Sequence, residues 1–295
     1  MDLIVSQLIA NSCEVVNRGC VKKITYLLFS RGLLSVLAAV VCASHASVAH
    51  AVGAPGHRMR TQTYEAFSKT LKISRTARDT KSGFVICIDP GHSRRTVGAS
   101  ANHLKEYVVC WQMAQQLAAI LRHGYSPPNV VILTKKSQEA NVSNMERAHI
   151  ANKVQADLLI RLHCDSGRDA GIATFYPAVQ GHIRDETGPS QEVIVQSRRC
   201  AYAFHSTLLH ALQAQGSPLH DRGVRTDAQT QVGGKLGGAL EGSIYSERPV
   251  LLIEMCVLNA PGDARFIRSS AKRKILAQAM AAGVLAAIQA NRASP

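Results

Sequence analysis

Residues 84–92 read FVICIDPGH, an apolar run that ends in an acid, a Pro-Gly turn and a histidine. Two similar runs follow, LLIRLH at 158–163 and VLLIE at 250–254, and both end on a residue that can bind a metal or move a proton. Such runs indicate buried parallel strands, whose carboxyl ends form ligand sites in open α/β sheets. The sequence therefore predicts that His92, His163 and Glu254 share one crevice.

The rest of the chain after residue 84 alternates between strand and helix patterns. Periodicity predicts strands at 84–88, 130–134, 158–162, 172–176 and 250–253, and helices at 106–123, 144–154, 191–213 and 272–290. Ser143 and Glu146 have the spacing of a capping box, which supports the start of the second helix. The alternation predicts an α/β fold with an open, mostly parallel twisted sheet and helices on both faces.

Glu106 opens the first predicted helix and brings the set to two histidines and two glutamates. That is the inventory of a catalytic zinc site with a general base, placed at the C-terminal ends of the strands. Singly, a turn histidine or a first-turn glutamate is usually structural. Glu254 is harder to explain that way, because a carboxylate directly after four apolar residues needs a cation or a proton.

Composition limits the class of protein. Apolar residues make up 46% of the 295-residue chain and charged residues 18%, which indicates a globular domain with a sizeable core. The net charge of +14 suits a polyanionic partner. Basic residues are dispersed, however, and no finger, basic-zipper or stacking pattern is present, so we expect no nucleic-acid partner.

The N-terminal residues predict export. Lys22, Lys23 and Arg31 precede the apolar stretch 32–43, and small residues at 49–51 suit a cleavage site. We expect an N-terminal extension and signal peptide at 1–51, with an uncleaved amphipathic anchor as the alternative. The apolar stretch is too short to cross a bilayer, so no transmembrane segment is expected in the mature chain. Residues 52–83 are polar and aperiodic, which predicts a linker or irregular segment.

Five of the eight cysteines follow the predicted leader, and none has paired CxxC spacing. Cys87 and Cys256 are expected to be small buried hydrophobes, while Cys164 beside His163 is the one thiol for which a chemical role stays open. The glycine-rich stretch 233–242 lacks P-loop spacing and is predicted to be a mobile loop at the mouth of the cleft.

Several motifs together resemble one family, the zinc-dependent N-acetylmuramoyl-L-alanine amidases of the cell-wall hydrolase type (amidase type 3). The resemblance runs from about Phe84 to Ile288, and the predicted catalytic domain spans 84–291. Its motifs are the DPGH turn, the glutamate at the head of the next helix, Leu133-Thr134, Arg147, Asn152, Ala156-Asp157, the LLIRLH strand, DRGV at 221–224 and LLIEMCVLN at 251–259.

The resemblance implies a site and a reaction. His92, Glu106 and His163 look like the ligands of one Zn²⁺ per chain, and Glu254 looks like the catalytic carboxylate. The implied reaction is hydrolysis of the amide bond between N-acetylmuramic acid and L-alanine in peptidoglycan. The expected location is periplasmic or secreted and associated with the cell envelope, with peptidoglycan as partner and an activator protein left open.

This chain departs from the usual pattern of the family in a few places. Ser93-Arg94-Arg95 replaces two glycines after the first turn, Lys135 stands where arginine is common, and Arg161 replaces a small polar residue. Cys256 and Val257 replace a Gly-Phe pair after Glu254. None of these changes removes a predicted ligand, so they affect the expected loop geometry and substrate detail.

Two other functions remain open at this point. In a zinc peptidase acting on stem peptides, His103 and Glu106 would both bind metal with His163, provided that the first helix starts early enough to include both. A non-catalytic wall-binding module would be expected to have lost a ligand or the carboxylate, and all four residues are present.

Overall fold

The computed structural model of the chain describes residues 83–293. The predicted leader at 1–51 and the predicted linker up to residue 82 lie outside the described residues. None of the helices between residues 83 and 293 has the length and apolarity needed to cross a bilayer.

A six-stranded sheet forms the centre of the described part. The six strands are β1 (Val85–Pro90), β4 (Val130–Leu133), β5 (Leu158–Asp165), β6 (Ile172–Tyr176), β9 (Asp221–Thr226) and β10 (Val250–Val257). Their order across the sheet is β4-β1-β5-β10-β6-β9. Only the β10–β6 pair among these neighbours is antiparallel, so the prediction of a mostly parallel sheet is confirmed. Two small hairpins lie outside the sheet: β2 (Ser100–Ala101) with β3 (Leu104–Lys105), and β7 (Gly181–Ile183) with β8 (Glu186–Gly188).

Helices cover both faces of this sheet, as predicted. The helices are α1 (Glu106–His123), α2 (Asn144–Lys153), α3 (Gln191–Ala214), α4 (Gln231–Lys235), α5 (Glu241–Ile244), α6 (Pro261–Arg268) and α7 (Ser270–Arg292). Successive side chains of β1 point to opposite faces, so Ile86 and Ile88 pack in a large core with α1, α3 and α7, while Val85 and Cys87 pack in a smaller one against α2. The capping box of Ser143 and Glu146 is present at the start of α2.

Three strands end later than predicted. β1 continues to Pro90, β5 to Asp165 and β10 to Val257, so the predicted ends at 88, 162 and 253 were too early. His163 and Glu254 therefore lie inside their strands near the carboxyl ends. Each prediction stopped just before the acidic residue or histidine that follows the last apolar residue of the run. The pairing continues because the backbone hydrogen bonds of a ladder do not depend on side-chain polarity, with a register shift between Glu254 and Val257.

The elements missed by the sequence patterns are polar, short or both. β9 has the sequence DRGVRT and is an edge strand without apolar alternation. α6 has eight residues, and the predicted glycine-rich loop at 233–242 contains the end of α4 and the start of α5. Short amphipathic or polar elements leave a weak periodic signal, because a window of 11–18 residues is needed to detect a helix.

Candidate active site

The DPGH turn places His92 directly after β1. Gly91 donates its N–H to the carbonyl of Leu162 at 2.9 Å, and a Cβ at Gly91 would lie 2.7 Å from Cε1 of His163. Only glycine therefore allows the turn to pass so close to the second histidine. His92 has a φ of 58° and a side chain that is 31% exposed, so its ring lies at the surface of the site.

Glu106 is the first residue of α1 and joins the two histidines. Its Oε1 lies 2.9 Å from Nδ1 of His163 and 3.2 Å from Nε2 of His92. The carboxylate also accepts the N–H of Cys164 at 3.0 Å and the N–H of Ala99 at 2.7 Å. Burial alone would raise the pKa of Glu106, but the hydrogen bonds to both histidines hold it well below its ordinary value. Glu106 is therefore ionised at any physiological pH.

Nitrogen and oxygen atoms of His92, Glu106 and His163 lie within 4.8 Å of one another, close enough to hold one metal ion. Burial lowers the pKa of His163, so its imidazole is neutral near pH 7, as a metal ligand must be. Nε2 of His163 is buried and has no hydrogen-bond partner among the described residues. Two imidazoles around a buried anionic carboxylate fit a divalent cation, and this donor set suits Zn²⁺.

His103 does not join this group. It is exposed, and it lies with Asn102 in the turn between β2 and β3, before α1 begins. Among residues 83–293, only His92, Glu106 and His163 form such a group. The alternative ligand set with His103 required that residue to lie on the same helical face as Glu106, so the fold does not support it.

Glu254 lies on β10 next to this cluster, paired in register with His163 on β5. Its Oε2 is buried and lacks a hydrogen-bond partner in the described part of the chain. Burial raises the pKa of Glu254 well above its ordinary value, Glu106 and Asp165 add to the effect, and Arg222 opposes it. A carboxyl group with a raised pKa can accept and return a proton near neutral pH, which is the requirement for a general base.

An open cleft of about 550 Å³ runs over these residues. The floor includes His92, His163 and Glu254, and the segment around α4 and α5 forms one wall. The 233–242 segment contributes Leu240 and Glu241 to this wall, in agreement with its predicted position at the mouth of the cleft. The three residues before the segment, Thr230, Gln231 and Val232, line the same wall. A long substrate can enter such a cleft without the enzyme having to close around it.

A buried charge cluster supports His92 from below. Asp89 is fully buried and accepts hydrogen bonds from Thr134, Arg147 and Arg161. Burial would raise the pKa of Asp89, but the two arginines hold it well below its ordinary value. Arg147 also donates to the carbonyls of Pro90 and His92. The cluster therefore fixes the backbone of the turn that carries the first histidine.

Lys135 reaches the same turn. Its ammonium donates to the carbonyl of His92 at 2.9 Å, and burial lowers the pKa of Lys135 to about 8. Sequence reasoning identified neither this contact nor the role of Asp89. A signal was available, since an aspartate after a buried strand and an arginine inside an apolar strand both need a buried partner.

The sequence of this chain is similar to those of known amidases. Residues 86–286 match the family described as N-acetylmuramoyl-L-alanine amidase. The sporulation-specific N-acetylmuramoyl-L-alanine amidase of Bacillus subtilis is 28% identical over 210 residues, which cover 71% of this chain and 70% of the relative. The N-acetylmuramoyl-L-alanine amidase CwlM of Bacillus licheniformis is 36% identical over 95 residues, 32% of this chain and only 37% of the relative's length.

Solved structures agree on the fold. The N-acetylmuramoyl-L-alanine amidase AmiC2 of Nostoc punctiforme superposes with a TM-score of 0.55 at 22% identity, covering 70% of this chain and 99% of that one. The family match at 86–286 extends over most of the described residues and includes the positions of His92, Glu106, His163 and Glu254. The chain therefore belongs to the N-acetylmuramoyl-L-alanine amidase family.

Proposed function

We propose that this protein is a zinc-dependent N-acetylmuramoyl-L-alanine amidase that cleaves the amide bond between N-acetylmuramic acid and L-alanine in peptidoglycan. The observation that carries the proposal is the convergence of His92, Glu106 and His163 beside Glu254. An open cleft reaches the two histidines and Glu254. Family membership supplies the substrate class, and the donor set supplies the metal.

In this proposal His92, Glu106 and His163 hold one Zn²⁺. The ion supplies Lewis-acid activation of water and of the amide carbonyl. Glu106 contributes the negative charge, and its contacts to the N–H groups of Ala99 and Cys164 hold the carboxylate in place. The buried polar network below the turn keeps His92 at the surface of the site.

Glu254 is the proposed catalytic residue. Its carboxylate takes a proton from the attacking water and passes it to the departing amine of L-alanine. The raised pKa supports both steps, because a carboxyl group of ordinary pKa returns a proton poorly near pH 7. The register of β5 and β10 holds Glu254 one strand spacing, about 5 Å, from His163.

The wider organisation is also a proposal. Residues 84–291 form the catalytic domain, residues 52–83 a linker, and residues 1–51 an extension with a signal peptide that directs export. The location proposed is the periplasm or the exterior of the cell, where peptidoglycan is found. The charge of +14 supports contact with an anionic envelope polymer.

Purified wall sacculi test the proposal directly. We expect the native protein with zinc to release new L-alanine amino termini, and a chelator to stop the release. Glu254→Gln should lower the rate by about 10²- to 10⁴-fold, because it removes general acid–base catalysis, while zinc binding persists. Glu247→Gln is the matched control, since Glu247 is exposed and lies before the same strand.

Three outcomes would contradict the proposal. Internal cleavage of stem peptides would indicate a peptidase, and new reducing ends would indicate a glycosidase. Binding to sacculi without release of any of these cleavage products, L-alanine amino termini included, would indicate a wall-binding module.

A further inference from the structure

Arg161 lines the cleft and lies on β5, the strand that carries the proposed metal ligand His163. It precedes His163 by two residues on β5, so both side chains point to the same face of the sheet. Its register partners are Asp89 on β1 and Leu252 on β10. Two residues of a strand span about 7 Å, which sets the distance along the cleft between the Arg161 and His163 positions.

The guanidinium of Arg161 is only partly used by the protein. Nε donates to Asp89 at 3.0 Å and Nη2 donates to the side chain of Asn144 at 2.7 Å. Nη1 has no hydrogen-bond partner among residues 83–293, although the side chain is only 5% exposed and lines the cleft. A largely buried guanidinium that lines a cleft and keeps N–H groups unused by the protein is suited to bind an anion.

Nearby carboxylates do not neutralise this group fully. Asp89 is shared between Arg161 and Arg147. Glu241 is connected to Arg161 only through Asn144. The side-chain amide of Asn144 donates to the carboxylate of Glu241 at 2.9 Å and accepts from Nη2 of Arg161. Asp227 is buried close by and accepts the N–H of Leu240, and burial raises its pKa, which favours its neutral form. The cleft therefore keeps a positive centre at Arg161.

Gly242 fixes the position of the guanidinium from the other side. A Cβ on Gly242 would lie 2.4 Å from Nη1 and 2.5 Å from Cζ of Arg161. The backbone of α5 thus lies directly against the guanidinium group, and the orientation of Nη1 is set before any ligand enters.

We propose that Arg161 is a specificity-determining residue that binds a carboxylate of the stem peptide about two residues from the scissile bond. The distance follows from the sheet, because about 7 Å corresponds to two extended residues of a bound peptide. The inference rests on the proposed amidase function and names the anionic group that the same cleft recognises.

Two matched substrates test it: N-acetylmuramoyl-L-alanyl-D-glutamate and the same compound with both carboxylates converted to carboxamides. For the native protein with zinc we expect kcat/KM to be about 10- to 100-fold higher for the acid, mostly through KM, as a charged hydrogen bond predicts. Arg161→Gln should bring the ratio to near one. Arg161→Lys should keep part of it, because the charge remains but the planar fork is lost.

Arg95→Gln is the control for general charge, since Arg95 is exposed on the loop after His92. We expect this variant to keep the native ratio. Equal rates for the two substrates in the native protein would overturn the inference even if Arg161→Gln failed to fold. A native ratio that survives in Arg161→Gln would also overturn it. Failure to cleave either substrate, with sacculi also uncleaved, would instead contradict the proposed amidase function.

Discussion

Glu106 is the residue on which the proposed metal site depends. Its carboxylate is buried at the start of α1, with two imidazoles beside it and no lysine or arginine ion pair among the described residues. Leaving a buried carboxylate without a cation costs several kcal/mol, so the arrangement is stable only with a metal or with protonated histidines. The lowered pKa of His163 argues against protonation near pH 7.

Substitution of His163 should separate the two possible ligand sets. We expect His163→Ala and His92→Ala each to lower zinc binding to well below one equivalent, because the site loses one of its three protein ligands. His103→Ala should retain about one zinc per chain, since His103 is exposed and lies outside the group. Metal analysis after dialysis against dilute zinc gives the measurement. Loss of zinc in His103→Ala would restore the peptidase alternative.

His205 shows what a sequence pattern cannot assign at this scale. Its Nδ1 lies 2.9 Å from the hydroxyl of Thr174, and its Nε2 lies 2.8 Å from Asp221. The three residues join α3, β6 and β9, and Thr174 is fully buried, so the arrangement is structural. The sequence alone does not indicate these contacts, because they come from segments 16 and 31 residues away.

At the scale of elements, the long apolar runs predicted the centre of the fold. α1 and β6 begin and end at the predicted residues, because their burial produces a strong apolar pattern. β9 gave no such pattern, since five of its six residues are only half-buried. The convergence of β1, β5 and β10 was predictable because parallel strands end at one edge, whereas the network of Asp89 with Arg147 and Arg161 depends on contacts across three elements.

Asp89 joins β1 to α2 and β5, and its substitution tests that network. Asp89→Asn removes the charge between two buried arginines, so we expect the free energy of unfolding to fall by about 3–5 kcal/mol in urea titrations at pH 7. Asp169→Asn is an exposed control and should change it by less than about 0.5 kcal/mol. If Asp89→Asn lowered the free energy of unfolding no more than Asp169→Asn does, the ion pairs of Asp89 with the two arginines would add nothing to stability.

The same network predicts a pH dependence. The pKa of Asp89 is lower in the folded chain than in the unfolded chain, where an aspartate has a pKa of about 3.9. Its contribution is therefore complete above about pH 4 and is lost as the pH falls through the folded-state pKa. We expect the stability difference between native protein and Asp89→Asn to shrink from pH 5 to pH 3. A difference that grows over this range would contradict the assignment.

Packing between α3 and α7 makes a separate prediction. A Cβ on Gly283 would lie 2.9 Å from both the ring and the carbonyl oxygen of Phe204. Gly283→Ala gains about 1 kcal/mol in helix propensity, but overpacking costs about 1–3 kcal/mol, so we expect a net loss of stability. Gln289→Ala on the exposed side of α7 should be neutral or slightly stabilising. Increased stability of Gly283→Ala in thermal melts would show that the two helices can separate without cost.

For the molecule as a whole, the sequence indicated the α/β class and pointed to the four proposed site residues. Three of them follow apolar strand patterns, where polarity changes sharply, and Glu106 opens α1. The shape of the cleft could not be predicted from the sequence in the same way. One wall consists of the short elements between Thr226 and Ser246. Their arrangement depends on single side-chain contacts such as Leu240 with Asp227 and Asn144 with Glu241. Such contacts join residues without periodic spacing, so no sequence window detects them.

Zinc should stabilise the whole fold, because the three proposed ligands come from the turn after β1, from α1 and from β5. A ligand at 100 times its Kd that binds only the folded chain adds about 2.7 kcal/mol. For a domain of this size, that raises Tm by about 5–11 °C at about 2–4 °C per kcal/mol. We expect this shift when metal-free native protein is titrated with zinc in thermal melts.

Glu106→Gln is the matched control for that experiment. The variant keeps every cysteine and histidine, so any zinc binding to the unfolded chain is the same in both proteins. With the carboxylate gone, the folded chain loses the anionic ligand and the shift should fall below about 2 °C. An equal shift in both proteins would locate the stabilising ion elsewhere, and the proposal that residues 92, 106 and 163 hold the metal would be wrong.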